Sequence, residues 1–176
     1  MKSRVSKWFY MLGILVFGGV LVLLAGKTTQ ASAEGFFPPE TLEGTWQVQV
    51  GQVNCQTGAA MGPAFPSYLS FFGNGTMAEN TSNPGFAIGQ RAPGMGIWHR
   101  SGQDSYYAKS VAFILYSTPG SGTVPPFSAG TQTITQTITF HHSFNQFSAD
   151  AAIEFADNTG TVYRQGCAVA TGTRFK

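Results

Sequence analysis

The sequence predicts an all-β protein, an eight-stranded antiparallel up-and-down barrel. Charged residues make up only 10% of the chain and aromatic residues 14%, whereas glycine (22 residues) and proline (9 residues) are abundant. This composition disfavours helical bundles and coiled coils and is typical of short strands joined by turns. Several segments also alternate between apolar and polar residues, which is the pattern of half-buried strands. Stretches rich in glycine and proline separate these segments.

The N-terminal 33 residues are predicted to lie outside this barrel. Three basic residues within the first seven precede an uncharged apolar run over 8–25, and the small-residue triplet Ala31-Ser32-Ala33 follows. This order predicts a signal peptide over 1–33, or a retained membrane anchor if it is not cleaved. A single barrel domain is then expected over 34–176. We expect it to be exported, as a periplasmic, secreted or anchored extracytoplasmic protein, with the membrane reached only through an uncleaved leader.

The charge of the predicted domain argues against nucleic acid as a partner. The whole chain has a formal net charge of +2, but four of its ten basic residues lie within 1–33. All eight acidic residues follow that segment, so residues 34–176 have a net charge of −2. The basic footprint of a nucleic-acid-binding domain is therefore absent from the sequence.

The first half of the domain predicts four strands, over 45–54, 67–72, 76–80 and 95–101. In the first of them, Trp46, Val48 and Val50 share the face that is expected to point inward. Gly73-Asn74-Gly75 is a strong hairpin signal between the second and third strands. The intervening segments 55–66 and 81–94 are rich in glycine and proline and are expected to be loops.

The second half predicts four further strands, over 105–117, 131–141, 146–156 and 161–175. Threonine occupies the odd positions of the sixth strand, whereas its even positions include Ile134, Ile138 and Phe140, which we expect inside. The seventh strand alternates as well, and its odd positions from Phe147 to Phe155 are apolar. Residues 118–130 form another loop rich in proline and glycine. Hairpin-like links between eight sequential strands favour a closed barrel, because closure removes both sheet edges.

Closure makes a prediction about the first and last strands. They would pair antiparallel, so the numbers of opposing residues should have a nearly constant sum. Trp46 opposite Arg174 and Cys55 opposite Cys167 differ by only two in this sum, an offset that a β-bulge would absorb. Cys55 and Cys167 are the two cysteines of the chain. In an exported domain they are expected to form a disulfide.

The start of the first strand carries a family resemblance. Gly44-Thr45-Trp46 resembles the Gly-x-Trp motif of the lipocalins and the wider calycin group, in which a late arginine packs over the tryptophan. Arg174 is the matching position here, and the resemblance implies that Trp46 and Arg174 close one end of the barrel. The chain departs from lipocalins in lacking a C-terminal helix pattern and a recognisable Thr-Asp-Tyr motif. These departures leave open another small barrel, such as one similar to the allene oxide cyclases.

A ligand site is expected at the end of the barrel opposite Trp46. Alternate loops of an up-and-down barrel lie at the same end, so the three long loops would share that mouth, where pockets commonly occur. The expected ligand-binding residues are four apolar residues of these loops and one cation that would meet a carboxylate or carbonyl: Phe65, Phe86, Ile88, Phe127 and Arg91. The alternatives are that the loops plug the barrel and that Arg91 is solvated.

The search for catalytic and metal-binding residues gives no candidate set. The two cysteines and three histidines lack metal-ligand spacing, so neither a metal nor a cofactor is expected. The first hypothesis is therefore an exported barrel that binds a small apolar or amphipathic molecule. A barrel enzyme of cyclase or isomerase type is the alternative if His99, Glu79 or Tyr107 meet in a deep pocket. A barrel filled by its own side chains would instead be a structural or interaction module.

Overall fold

The computed structural model describes residues 41–122, 124–141 and 143–175. The predicted leader over 1–33 lies outside the described residues. The described part of the chain contains only strands, turns and loops. It includes no helix long and apolar enough to cross a membrane.

Eight strands form a closed antiparallel barrel in which each strand pairs with the next in sequence and the last pairs with the first. The predicted fold is therefore confirmed. The strands are β1 (Gly44–Val53), β2 (Phe65–Phe71), β3 (Thr76–Thr81), β4 (Gly94–Arg100), β5 (Ser105–Ile114), β6 (Gly130–His141), β7 (Ser143–Asp157) and β8 (Val162–Arg174).

Two strands begin more than one residue earlier than the sequence pattern predicts. β2 already pairs with β1 at Phe65, although Pro66 cannot donate a backbone hydrogen bond. The carbonyl of Pro66 accepts a hydrogen bond from the N–H of Ser82 instead. β7 begins at Ser143 because a register shift between Phe140 and His141 lets the hairpin continue beyond the expected turn.

The β1–β8 seam corrects one expectation and confirms another. The register runs without interruption from the Trp46–Arg174 pair to the Val53–Cys167 pair, so the expected bulge in this seam is wrong. Cys55 instead lies in the turn after β1, and this turn absorbs the two-residue offset. The predicted disulfide between Cys55 and Cys167 is confirmed, with the two Cα atoms 5.2 Å apart.

The interior contains two apolar clusters, one near each end of the barrel. The lower cluster is the larger and contains Trp46, Phe71, Met77, Ile138 and Phe147 among its fully buried members. The upper cluster contains Ile114, Phe127, Ile153, Phe155 and Ala168. We call the end near the upper cluster the mouth, because the connections 54–64, 82–93, 115–129 and 158–161 lie there. The opposite end, which contains Trp46, is the closed end.

Candidate functional site

A small cavity lies inside the barrel between the two clusters. The cavity volume is about 40 Å³. At roughly 10–15 Å³ for each water, this is room for about three waters. Its apolar lining comes from β1, β2, β6, β7 and β8 and includes Val48, Leu69, Ile134, Ile153 and Ala168. Members of the lower and upper clusters both contribute to this lining. The cavity therefore separates the two apolar clusters.

Polar side chains also line the cavity, and we call them the polar wall. Ser67 of β2, Glu79 and Thr81 of β3, and Gln132 and Gln136 of β6 all line it. The Ser67 and Thr81 hydroxyls are 2.7 Å apart, and the Thr81 hydroxyl donates to Oε2 of Glu79 at 2.6 Å. The lining can thus meet hydrogen-bonding groups at these side chains, whereas the apolar side chains beside them on β2 and β6 contact only apolar groups.

Glu79 and Arg91 form a buried ion pair beside this wall. Their side chains are 2% and 5% exposed, and Nη2 of Arg91 donates to Oε1 of Glu79. Nε of Arg91 donates to the Gln132 side chain, and Nη1 donates to the Ala92 carbonyl at 3.3 Å. All three nitrogens of the guanidinium therefore have acceptors, and its charge is matched. Buried charges are retained in proteins when they are paired in this way.

A glycine opposite Glu79 makes room for this pair. Gly94 is the cross-strand partner of Glu79 in the β3–β4 ladder. A Cβ atom added at Gly94 would lie 2.3 Å from Oε1 of Glu79, a separation that side chains do not tolerate. The glutamate can face inward because its neighbour on β4 has no side chain.

Aromatic rings from the loops pack with the upper cluster, on the mouth side of the cavity. Phe86 and Phe127 come from two different loops, and their ring centroids are 4.3 Å apart. Phe127 also lies 5.6 Å from Phe155 of β7 in an edge-to-face arrangement. Phe127 is only 5% exposed, so its loop folds over the mouth and does not extend into solvent. We call Phe86 and Phe127 the lid.

Arg164 of β8 packs against two rings of this region. Its Cζ atom is 3.9 Å from the ring centroid of Phe155 and 4.1 Å from that of Phe127. Its Nε and Nη1 atoms are buried and have no hydrogen-bond partner among the described residues. Burial lowers the pKa of the Arg164 guanidinium, because the charged form loses solvation. The mouth therefore contains a stacked cation with unused donors.

The closed end contains a second stacked arginine, and this one is fully bonded. Cζ of Arg174 is 4.3 Å from the ring of Trp46, which is itself completely buried. The guanidinium donates to the backbone carbonyls of Thr41, Glu43 and Phe144. The Trp46 indole N–H donates to the Leu42 carbonyl at 2.9 Å. These contacts seal this end of the barrel.

The five expected ligand-binding residues lie in different environments. Phe65 lines the cavity, whereas Phe86 and Phe127 pack with the upper cluster on its mouth side and do not line it. Arg91 is neither solvated nor available to a ligand, because Glu79 and Gln132 occupy it. Ile88 lies at the tip of its loop and is fully exposed, so the structure does not bring it to the cavity.

The residues of the enzyme hypothesis do not meet. His99 and Tyr107 are cross-strand partners whose rings stack 5.0 Å apart, and the His99 side chain is exposed on the outer wall. Glu79 faces the interior and pairs with Arg91. Within the described ranges, no three His, Cys, Asp or Glu side chains are grouped closely enough to hold a metal ion.

Sequence reasoning missed Arg164, Gln132 and Gln136. The two glutamines share the inward face of β6 with Ile134 and Ile138, so the period-two pattern contained that signal. Arg164 lies on the same face of β8 as Arg174, and only glycine and alanine occupy the inward positions between them. An arginine at each end of such a face is a readable signal for two special positions.

Comparisons with known proteins assign no family to the chain. No protein-family model matches the chain, and no curated protein matches it significantly.

Proposed function

We propose that this chain is an exported barrel of lipocalin type that binds a small apolar or amphipathic molecule inside the barrel. The observation that carries the proposal is the cavity between the two clusters, which is lined by both polar and apolar side chains. An amphipathic molecule can use both the polar and the apolar side chains of such a site. A core that only stabilises the fold needs neither the void nor the buried polar side chains.

Export is supported by the leader pattern over 1–33 and by the Cys55–Cys167 disulfide. Disulfides persist mainly in oxidising compartments outside the cytosol. The lipocalin type is supported by the closed eight-stranded topology and by the Gly-x-Trp start of β1, with Arg174 over Trp46.

The ligand enters at the mouth and not at the closed end. Phe86 and Phe127 belong to loops, so their rings can swing outward without breaking the ladders of the barrel. Trp46 and Arg174 are strand residues, and their hydrogen bonds hold the closed end in place. Ligand pockets usually measure roughly 300–1,000 Å³, so the 40 Å³ cavity must gain the space that the lid rings occupy.

The test measures displacement and uptake of a neutral, environment-sensitive naphthylamine dye. Wild-type protein is expected to bind one dye molecule per chain. Phe86→Ala removes a lid ring that swings outward to admit the dye and then packs against it, so binding should weaken by roughly 1–3 kcal/mol. Phe175→Ala is the matched control, because Phe175 is exposed at the closed end. This control should bind the dye as the wild type does.

A cavity-filling variant separates interior binding from adhesion to the surface. Ala151 lines the cavity and is only partly buried. Ala151→Leu should block dye uptake, at a stability cost of roughly 1–3 kcal/mol for overpacking. Dye uptake that survives this substitution, or that Phe175→Ala reduces as strongly as Phe86→Ala does, would contradict the proposal.

A filled barrel without a ligand is the second candidate. The two clusters occupy most of the interior, and the void between them is small. Under this hypothesis wild-type protein takes up no dye, and Ala151→Leu changes only stability. The same experiment therefore decides between the two functions.

A further inference from the structure

Three arginines lie at least half-buried in the barrel, and one of them differs from the others. The guanidinium of Arg91 has Glu79 and Gln132 as acceptors, and that of Arg174 has three backbone carbonyls. The Nε and Nη1 atoms of Arg164 have no acceptor among the described residues. No acidic group pairs with Arg164 in the described ranges, so its charge is also unmatched.

Rings compensate this charge only in part. Phe127 and Phe155 pack against adjacent sides of the guanidinium, with their ring centroids 5.6 Å apart, and stabilise it through cation–π attraction. A ring face is at most a weak acceptor for an N–H group, and buried N–H groups without a strong acceptor destabilise a fold. A ligand that supplies an acceptor would remove this cost, so binding such a ligand would stabilise the protein.

The inward face of β8 connects Arg164 to the cavity. Gly166, Ala168 and Ala170 follow Arg164 on this face, and both alanines line the cavity. On the neighbouring strand, Ala151 and Ile153 extend the same apolar surface. A chain-like apolar group can therefore lie along β7 and β8 with its polar end at Arg164.

We propose that Arg164 binds the carboxylate of an amphipathic ligand whose apolar part lies in the cavity. This inference rests on the function proposed above and names the class of ligand. A cation without a matching anion favours a negatively charged group over a neutral one, and the planar guanidinium fork matches a planar carboxylate. The role predicted for Arg91 thus passes to Arg164, because Arg91 is already paired.

The two rings on Arg164 differ in their freedom to move. Phe155 belongs to β7, whereas Phe127 belongs to the 115–129 loop and is held there by a bridge to Thr118. Binding of the carboxylate displaces the Phe127 ring and leaves Phe155 stacked on the guanidinium. The ligand carboxylate thus takes the place that the Phe127 ring occupies beside Arg164 in the free protein.

The test compares octanoate with octanol as competitors of the neutral dye at pH 7. The two molecules share an apolar chain and differ in the charged headgroup. Wild-type protein should bind octanoate at least roughly tenfold more tightly, because charge-assisted hydrogen bonds are the strong ones. This preference should disappear as the carboxylic acid becomes protonated below about pH 4.5.

Arg164→Met keeps an unbranched apolar side chain against the rings and removes the donors. The variant should bind octanoate and octanol equally, with octanol affinity within about twofold of wild type. Gln165→Met is the control, because Gln165 is exposed on the outer face of the same strand; it should keep the preference for octanoate. Arg164→Lys keeps the charge without the fork and should keep part of the preference.

The outcomes separate the two proposals. Equal binding of acid and alcohol by wild type overturns the carboxylate site and leaves the binding function intact. A preference that Arg164→Met retains also overturns it. If wild type binds neither the dye nor either competitor, the proposed function itself fails. The Nε–H resonance of Arg164 gives a direct readout: octanoate should move it downfield through the new charge-assisted hydrogen bond, whereas octanol should not cause this downfield shift.

Discussion

Arg164 and Arg174 occupy equivalent positions at the two ends of one strand. Both lie on the inward face of β8, and both stack on aromatic rings at a distance of about 4 Å. Burial lowers the pKa of both guanidinium groups. They differ in their hydrogen bonds, since Arg174 donates to three backbone carbonyls and two buried nitrogens of Arg164 donate to nothing within the described residues.

This difference shows that an arginine stacked on aromatic rings can either seal a barrel end permanently or form a seal that a ligand opens. At the closed end, the rings and the carbonyls together satisfy the cation, so nothing is gained by opening that end. At the mouth, the rings supply cation–π attraction but no oxygen acceptor, so a ligand that supplies acceptors competes with the closed lid. Hydrogen-bond satisfaction, and not aromatic packing, distinguishes a permanent seal from one that opens.

The largest expected effect concerns the seam that joins the two ends. The β1–β8 seam is closed near Trp46 by Arg174 and near the mouth by the Cys55–Cys167 disulfide. The disulfide closes a sequence separation of 112 residues. Replacing both cysteines by serine should lower the free energy of unfolding by up to roughly 4–5 kcal/mol, because the unfolded chain gains freedom. Denaturant titration measures this change.

Native-state hydrogen exchange then locates the effect. If the two ends are sealed independently, amides of β1 near Trp46 should remain the best protected after loss of the disulfide. Amides next to Cys55 should exchange faster by local opening. Two free thiols in protein purified from an oxidising compartment, found by non-reducing peptide mapping, would contradict the disulfide itself.

The second prediction compares the two arginines directly. Arg174→Met keeps some packing on Trp46 but leaves the carbonyls of Thr41 and Phe144 without this donor, so stability should fall by about 2 kcal/mol. Arg164→Met loses cation–π attraction but also removes two unpaired buried N–H groups. These opposing contributions should leave its stability within about 1 kcal/mol of wild type.

Denaturation midpoints of the two variants, with unchanged slopes, check this comparison. Equal losses of stability would mean that Arg164 is as well satisfied as Arg174, and the mouth would then be a second permanent seal. A larger loss for Arg164→Met would reverse the assignment of the two ends.

The sequence pattern predicts nearly all of the fold, and the inward faces of β7 and β8 require one β-bulge between these two strands. β7 points its odd-numbered residues inward, whereas β8 points its even-numbered residues inward. Opposed residues of an antiparallel pair share a face, so an odd residue of β7 must oppose an even residue of β8. The turn after Asp157 instead opposes Ala156 to Val162, and a register shift between Phe155 and Ala156 restores the match. This bulge places Arg164 beside Phe155.

The polar wall could not be predicted in the same way. Alternation indicates which face a residue occupies, but Glu79 and Arg91 become neighbours only through the β3–β4 loop, and Gln132 reaches them across the barrel. A charged residue at an inward position is stable only with its partner. The identity of that partner depends on the loop conformation, and loop residues show no periodic sequence pattern from which it could be predicted. The lid rings Phe86 and Phe127 were named from composition alone, and their mutual contact required the structure.

The smallest expected effect tests the turn that sets the face of β8. Oδ1 of Asp157 accepts hydrogen bonds from the Thr159 hydroxyl at 2.6 Å and from the N–H groups of Thr159 and Thr161. These bonds, led by that of the Thr159 hydroxyl, lower the pKa of the exposed Asp157 carboxyl below its ordinary value of 3.8. The ionised form is therefore favoured by folding, and its stabilisation is fully present above the unfolded-state pKa. It is lost as the pH falls through the lower folded-state pKa.

Asp157→Asn removes the titration and keeps an oxygen acceptor in the turn. The difference in stability between wild type and this variant should be constant from pH 7 down to about pH 5 and should then shrink toward pH 2. Urea titration at several pH values measures the difference, and Asp150→Asn serves as the control because Asp150 is an exposed carboxyl within β7. A difference that grows as the pH falls would mean that the turn favours the neutral carboxyl. The hydrogen bonds that begin β8, and with them the placement of Arg164 at the mouth, would then need another origin.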